Sequence, residues 1–169
     1  DIASEAGNPV TLTLSPATGN ISIGQTKDIQ VILKAGTISV QTAEFTLSYG
    51  QIGSNVLSAT FIPNLSSGFS TVYEPPVENN TSAKTITYKT VVNAGTTSIT
   101  GDILLGTLRL TGVTAGTAQV NFTSADFNEL SGKLTPTFVN GTYTVGTTAT
   151  NTPTPTKTPT PTITPTNAF

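Results

Sequence analysis

Apolar and polar side chains alternate one for one in segment after segment of this chain, a rhythm that suits strands and not helices. In VTLTL, Val10, Leu12 and Leu14 fall on one side and Thr11 and Thr13 on the other. DIQVIL sets Ile29, Val31 and Leu33 against Asp28, Gln30 and Ile32. SVQTAEFTLSYG is the longest such run, with Ala43, Phe45, Leu47 and Tyr49 opposed to Thr42, Glu44, Thr46 and Ser48. NVLSATFI repeats the pattern through Leu57, Ala59 and Phe61. Successive side chains of an extended chain point to opposite faces, so each run reads as a strand with one buried face. TITYKTVV, ILLGTLRL and AQVNF read as further strands, and apolar residues on both faces of ILLGTLRL suggest an inner one. Nowhere do apolar residues keep helical spacing for more than a turn or two.

The punctuation between these runs is that of turns. SPATGN reads as one turn and SADFNELSGK as a loop. Residues 63–84, with Gly68, Pro75, Pro76 and two adjacent asparagines, read as a long connection holding one short strand at 69–73. In PTFVNGTYTV the pair Asn140-Gly141 stands between two β-rich runs, the signal for a two-residue hairpin turn. Eight or nine short strands at this spacing predict an all-β, antiparallel sandwich over residues 10–146, behind a polar lead-in at 1–9.

Residues 147–169 differ in kind. From Asn151 the sequence is NTPTPTKTPTPTITPTNAF. Alternating Pro removes backbone donors and fixes φ, which excludes helix and sheet interior and favours polyproline II. At about 3.1 Å per residue such a run makes a semi-rigid spacer roughly 60 Å long. Thr152, Thr154, Thr156, Thr158, Thr160 and Thr162 are candidate acceptors for O-linked sugars.

Composition removes several function classes. His and Cys are both absent, so hydroxyl nucleophiles lack their usual base, thiol chemistry is ruled out and transition metals lose their best ligands. Glu74 and Glu78 flank PPV in a loop and read as solvated charge rather than a catalytic pair. The chain is expected to be no enzyme. Asp126, Asn128 and Glu129 in SADFNEL are a weak candidate calcium site, set against an ordinary Asp/Asn turn. The seven basic residues are scattered, which speaks against nucleic acid. No run approaches the roughly 20 apolar residues that span a bilayer. The absence of Met and a start at Asp1 suggest a removed secretory signal segment and an extracellular or cell-surface setting.

Two kinds of sugar chemistry stay open. Flat sugar-binding faces use aromatic platforms, but Trp is absent and Tyr49, Tyr73, Tyr88 and Tyr143 mostly sit in the inward phase, so core packing is the better reading. Binding to polysaccharide or cell wall remains the rival use. Asn20, Asn64, Asn79, Asn80, Asn121 and Asn140 each open an N-x-[ST] sequon, and Asn64, Asn79 and Asn80, in the long connection, are the candidates for glycans.

Read in order, ISIGQTKDIQVILKA, VQTAEFTLSYG, NVLSATF, GDILLGTLRL, GTAQVNF and SADFNELSGKLTPTFVNGTYTV resemble a cohesin domain. The resemblance spans nearly all of the chain from Val10 to Val145. It implies a jelly-roll sandwich of about nine strands, an extracellular module, no catalysis, no cofactor, and a dockerin as partner. Cohesins receive the dockerin on one sheet face, with an Asn and an Asp of the long strand among the contacts. The matching positions here are Thr42 and Glu44, a changed pair. Two uses follow: display of a protein-binding module on the Thr/Pro stalk, or self-assembly in which neighbouring copies of the chain are the partner.

Overall fold

The computed structural model describes residues 10–70, 76–95, 98–129 and 132–146. The lead-in, the Thr/Pro run with its candidate threonines, Tyr73 and Glu74 lie outside the described residues. There are 13 strands among the described residues. In chain order they are β1 (Thr11–Ser15), β2 (Thr18–Ser22), β3 (Thr26–Lys34), β4 (Thr42–Ser48), β5 (Leu57–Pro63), β6 (Phe69–Ser70) and β7 (Val77–Asn80). β8 (Thr85–Val92), β9 (Asp102–Gly112), β10 (Gly116–Glu129), β11 (Gly132–Leu134), β12 (Thr137–Val139) and β13 (Gly141–Gly146) complete the set.

Two sheets face each other, as the alternation requires. One has the order β12-β1-β3-β9-β5; the other runs β2-β13-β10-β4-β8-β6, with β7 also on β8 and β11 on β10. The inward phase read from sequence is the buried one: Leu12, Ile29, Val31, Leu33, Ala43, Phe45 and Leu47 are all 0% exposed. An aromatic cluster joins the layers. Phe61 of β5 meets Phe45 of β4 edge-on at 5.5 Å and Tyr88 of β8 at 4.9 Å, geometries that ring quadrupoles favour.

The differences from expectation have local causes. SPATGN holds β2 as well as a turn, and β2 pairs parallel with β13. β1 likewise pairs parallel with β12, so the sheets are mixed rather than wholly antiparallel. SADFNELSGK is not a loop. Its first half continues β10, where Phe127 is fully buried and pairs with Ala43, and Gly132 and Lys133 at its end open β11. Asn140-Gly141 does not make a hairpin. β12 lies in one sheet and β13 in the other, and Asn140 is the crossing point, its Oδ1 accepting a hydrogen bond from Phe122 N at 2.9 Å. The long connection carries β7 as well as the short strand at Phe69–Ser70.

β9 is an inner strand as expected, but its doubled apolar pattern has another origin. Val31 pairs with Gly106 and Ile32 with Leu104, leaving Leu105 as an extra residue. The bulge flips the phase, so Ile103 and Leu105 point inward before it and Leu108 and Leu110 after it. Thr123 plays the same part in β10, between Phe122 and Ser124.

Candidate docking face

The long strand β4 sits between β10 and β8, and its outward residues form the centre of a three-strand face. Cross-strand register sets the rows. Thr42 lies between Val91 and Asn128, Glu44 between Lys89 and Asp126, and Thr46 between Thr87 and Ser124. The middle row therefore reads positive, negative, negative. Lys133 of β11 closes the far side, its Nζ 2.8 Å from Asp126 Oδ2.

Every side chain at the centre has a neighbour to hold it. Asn128 Nδ2 donates to Thr42 Oγ1 at 2.9 Å and to Asp126 Oδ1 at 3.2 Å. The hydroxyls of Thr46 and Thr87 meet at 2.8 Å. Lys89 Nζ stands 3.5 Å from Glu44 Oε1, with 37% and 46% of the two side chains exposed. Pairs this exposed are held weakly, so an incoming partner can exchange them for its own charges at little cost. A depression of about 170 Å³ lies here, lined by Thr42, Glu44, Lys89, Thr90, Asp126 and Asn128. Chemically the face offers two adjacent carboxylates, flanking ammonium groups, an amide and hydroxyls on a rigid sheet.

Thr42 and Glu44, read from the sequence, are thus brought together with residues that the sequence did not assign to the same face, Asp126 and Asn128 reading there as a weak calcium candidate. Lys89, Asp126, Asn128 and Lys133 join them only through strand register, and no short motif carries that. Asp126, Asn128 and Glu129 do not form a calcium loop. They lie on a paired strand, Asp126 spends its oxygens on Asn128 and Lys133, and no group of three acidic side chains placed to hold a metal occurs among the described residues.

The sequons separate by what their amides already do. Asn64 Nδ2 donates to Leu104 O at 3.0 Å, and Asn79 Nδ2 to Ala59 O at 2.8 Å. Asn80 uses its carbonyl oxygen, which accepts from Ala83 N at 2.9 Å, and is exposed. Of the tyrosines described, Tyr49, Tyr88 and Tyr143 are all buried in the core and offer no platform for a sugar ring. A bidentate ion pair, Arg109 with Asp28, lies on the opposite sheet. Its hydrogen bonds hold the Asp28 carboxyl below its ordinary range and raise the Arg109 guanidinium.

A two-sheet sandwich with a polar, ion-paired face over its long strand defines the class by architecture: an all-β sandwich of two mixed sheets. No protein-family model and no curated protein matches the sequence. Solved structures do. The OlpC cohesin in a type I cohesin–dockerin complex from Clostridium thermocellum is 12% identical, with a TM-score of 0.64, covering 88% of this chain and 100% of that one. The seventh ScaB type I cohesin of Pseudobacteroides cellulosolvens is 14% identical, with a TM-score of 0.63 and coverage of 84% and 95%. A non-cellulosomal cohesin of the archaeon Archaeoglobus fulgidus gives 14%, 0.60, and coverage of 83% and 93%. At such identity the likeness is one of fold, and it is unambiguous: this chain folds as a cohesin-type β-sandwich.

Proposed function

We propose that the chain is a non-catalytic, extracellular protein-binding module that receives a dockerin-type partner on the outer face of β10, β4 and β8. The observation that carries the reading is the coincidence of two things. The fold is that of cohesins solved in complex with dockerins, and the two positions matched to cohesin contacts, Thr42 and Glu44, sit at the centre of an exposed ion-paired face. With no His or Cys in the chain, the chemistry of this face is recognition rather than turnover. No cofactor is needed for it. Where the secreting cell glycosylates its surface proteins, Asn80 is the acceptor this fold favours.

Glu44 and Asp126 face each other across strands, so the partner is expected to present a cation between them, with hydroxyl or amide groups over Thr42 and Asn128. Titration calorimetry of the chain with dockerin-bearing proteins tests this. Binding that Glu44→Lys weakens at least about tenfold supports the reading, because the new ammonium meets Lys89 and the partner's cation. Absence of binding across a panel of dockerins, or binding indifferent to Glu44→Lys, overturns it.

A further inference from the structure

Further along the same sheet lies a gap one strand wide. β4 pairs with β10 only as far as Ser48 and Asn121. Continued in that register, Gly50 would face Gln119. Instead Gly50 takes a φ of 136°, a left-handed value that turns the chain out of the sheet, and Ser54 N bonds back to Gln51 O at 2.9 Å. What remains is a groove of about 470 Å³ lined chiefly by Ser48, Gln51, Ser54, Thr117, Gln119 and Asn121. No lining side chain ionises.

The floor of this groove is an open sheet edge. Thr142 N donates to Ala17 O, so the backbone groups of Thr142 and Thr144 point at β2 and those of Gly141, Tyr143 and Val145 at β10. Their partners Val120, Ala118 and Gly116 therefore point at β13. Thr117 and Gln119, of opposite phase, aim their N–H and C=O groups into the groove. The 3.5 Å approach of the Thr117 and Thr144 hydroxyls fits this, since non-hydrogen-bonded pairs bring side chains closer. Among the described residues no strand covers that edge.

We propose that the groove is a strand-addition site and that its occupant is the Thr/Pro run of a second copy of the chain, residues 152–156. A strand added here needs a donor only at every second residue, because alternate residues face away. The run TPTPT supplies that period. Thr152, Thr154 and Thr156 carry N–H groups, while Pro153 and Pro155 fall on the outward side, where an edge strand tolerates Pro. A residue preceding Pro is already biased to extended backbone, so little freedom is lost on docking. The run is uncharged, as the groove is. A second copy is the source because β13 ends at Gly146 beside Gly116, heading away from the gap on the far side of β10.

Sedimentation of the full chain over a range of concentrations, with amide exchange at Thr117 and Gln119, tests the proposal. Association that grows with concentration and slows exchange at those two amides is expected. A synthetic peptide of residues 151–157 in excess should dissolve the assemblies, and the same peptide N-methylated at Thr152, Thr154 and Thr156 should compete at least tenfold less well. Gln119→Pro removes a donor that the β13 ladder does not use and should abolish association, whereas Gln119→Ala should keep it. A chain that stays monomeric to millimolar concentration, or assemblies indifferent to the unmethylated peptide, overturns the proposal. Dockerin titration at the Glu44 face is a separate readout, so either idea can fail alone.

Discussion

Tyr143 lies wholly inside the sandwich and donates its hydroxyl to Pro16 O at 2.7 Å. Burial pushes its phenol up from 10.0 to about 12, because a phenolate there has lost its water and has no cation to replace it. The sign of the linkage follows. The folded state holds its proton more tightly than the unfolded chain, so its contribution is complete below pH 10 and is lost as pH rises from 10 toward 12. Tyr49 and Tyr88 are raised by burial too and act in the same direction. Stability is therefore expected to be flat near neutrality and to fall steeply in this alkaline window, with phenolate absorbance rising together with loss of far-UV circular dichroism. Ionisation of all the tyrosines ahead of unfolding would refute it. Asn79 is the second decisive residue. It accepts from Tyr49 Oη at 3.2 Å and donates to Ala59 O, joining the edge of one sheet to the other. Asn79→Ala strands both partners and should cost about 1–3 kcal/mol in urea unfolding, and an unchanged midpoint would show the link to be idle.

At the scale of strands, the bulges at Leu105 and Thr123 decide which side chains face the core. Gly106 sits just past the first one. A Cβ there would stand 2.5 Å from Ile62 O, a backbone atom of the neighbouring strand that cannot step aside without breaking pairing. Gly106→Ala should therefore destabilise by about 2 kcal/mol or more. Gly146→Ala, where nothing lies within 4 Å, is the control and should stay near neutral. Equal midpoints for the two in denaturant would contradict this account. The same elements show where the sequence could be read and where it could not. The burial phase of β1, β3, β4 and β5 was legible because a period of two needs no knowledge of partners. Phe127, buried on a stretch that read as a loop, was missed because the bulge at Thr123 breaks the period just before it. Asn140-Gly141 reads as a hairpin turn and is a crossing between sheets, because whether the chain returns to its own sheet or crosses to the other is not written in two residues. The docking face shows the same division. Thr42 and Glu44 came from an ordered resemblance along one strand, whereas Lys89 and Asp126 join them through register between strands far apart in sequence.

For the molecule as a whole, the two ends of the described chain close the structure on each other. β1 pairs with β12 and β2 with β13, both in parallel, so strands from the first and last parts of the domain zip together on opposite sheets. β13 also covers the edge of β10 from Gly116 to Val120 and brings Tyr143 and Val145 into the core. Removing residues 137–146 therefore does more than shorten an edge. Two core side chains are lost, worth together roughly 4–5 kcal/mol of burial, the Pro16 carbonyl loses its partner, and β2 loses its sheet. A domain of this size has a total stability of about 5–15 kcal/mol, so that loss consumes roughly a third of the margin or more before the bared edges of β1 and β10 are considered. The intact chain is expected to unfold in one step, with tyrosine fluorescence and far-UV circular dichroism coinciding along the denaturant axis. A chain ending at Pro136 is expected to show no cooperative transition, and its amides should exchange freely. A sharp, coincident transition in that shortened chain would show that the sandwich is held by its inner strands alone and that the closing pairs are dispensable.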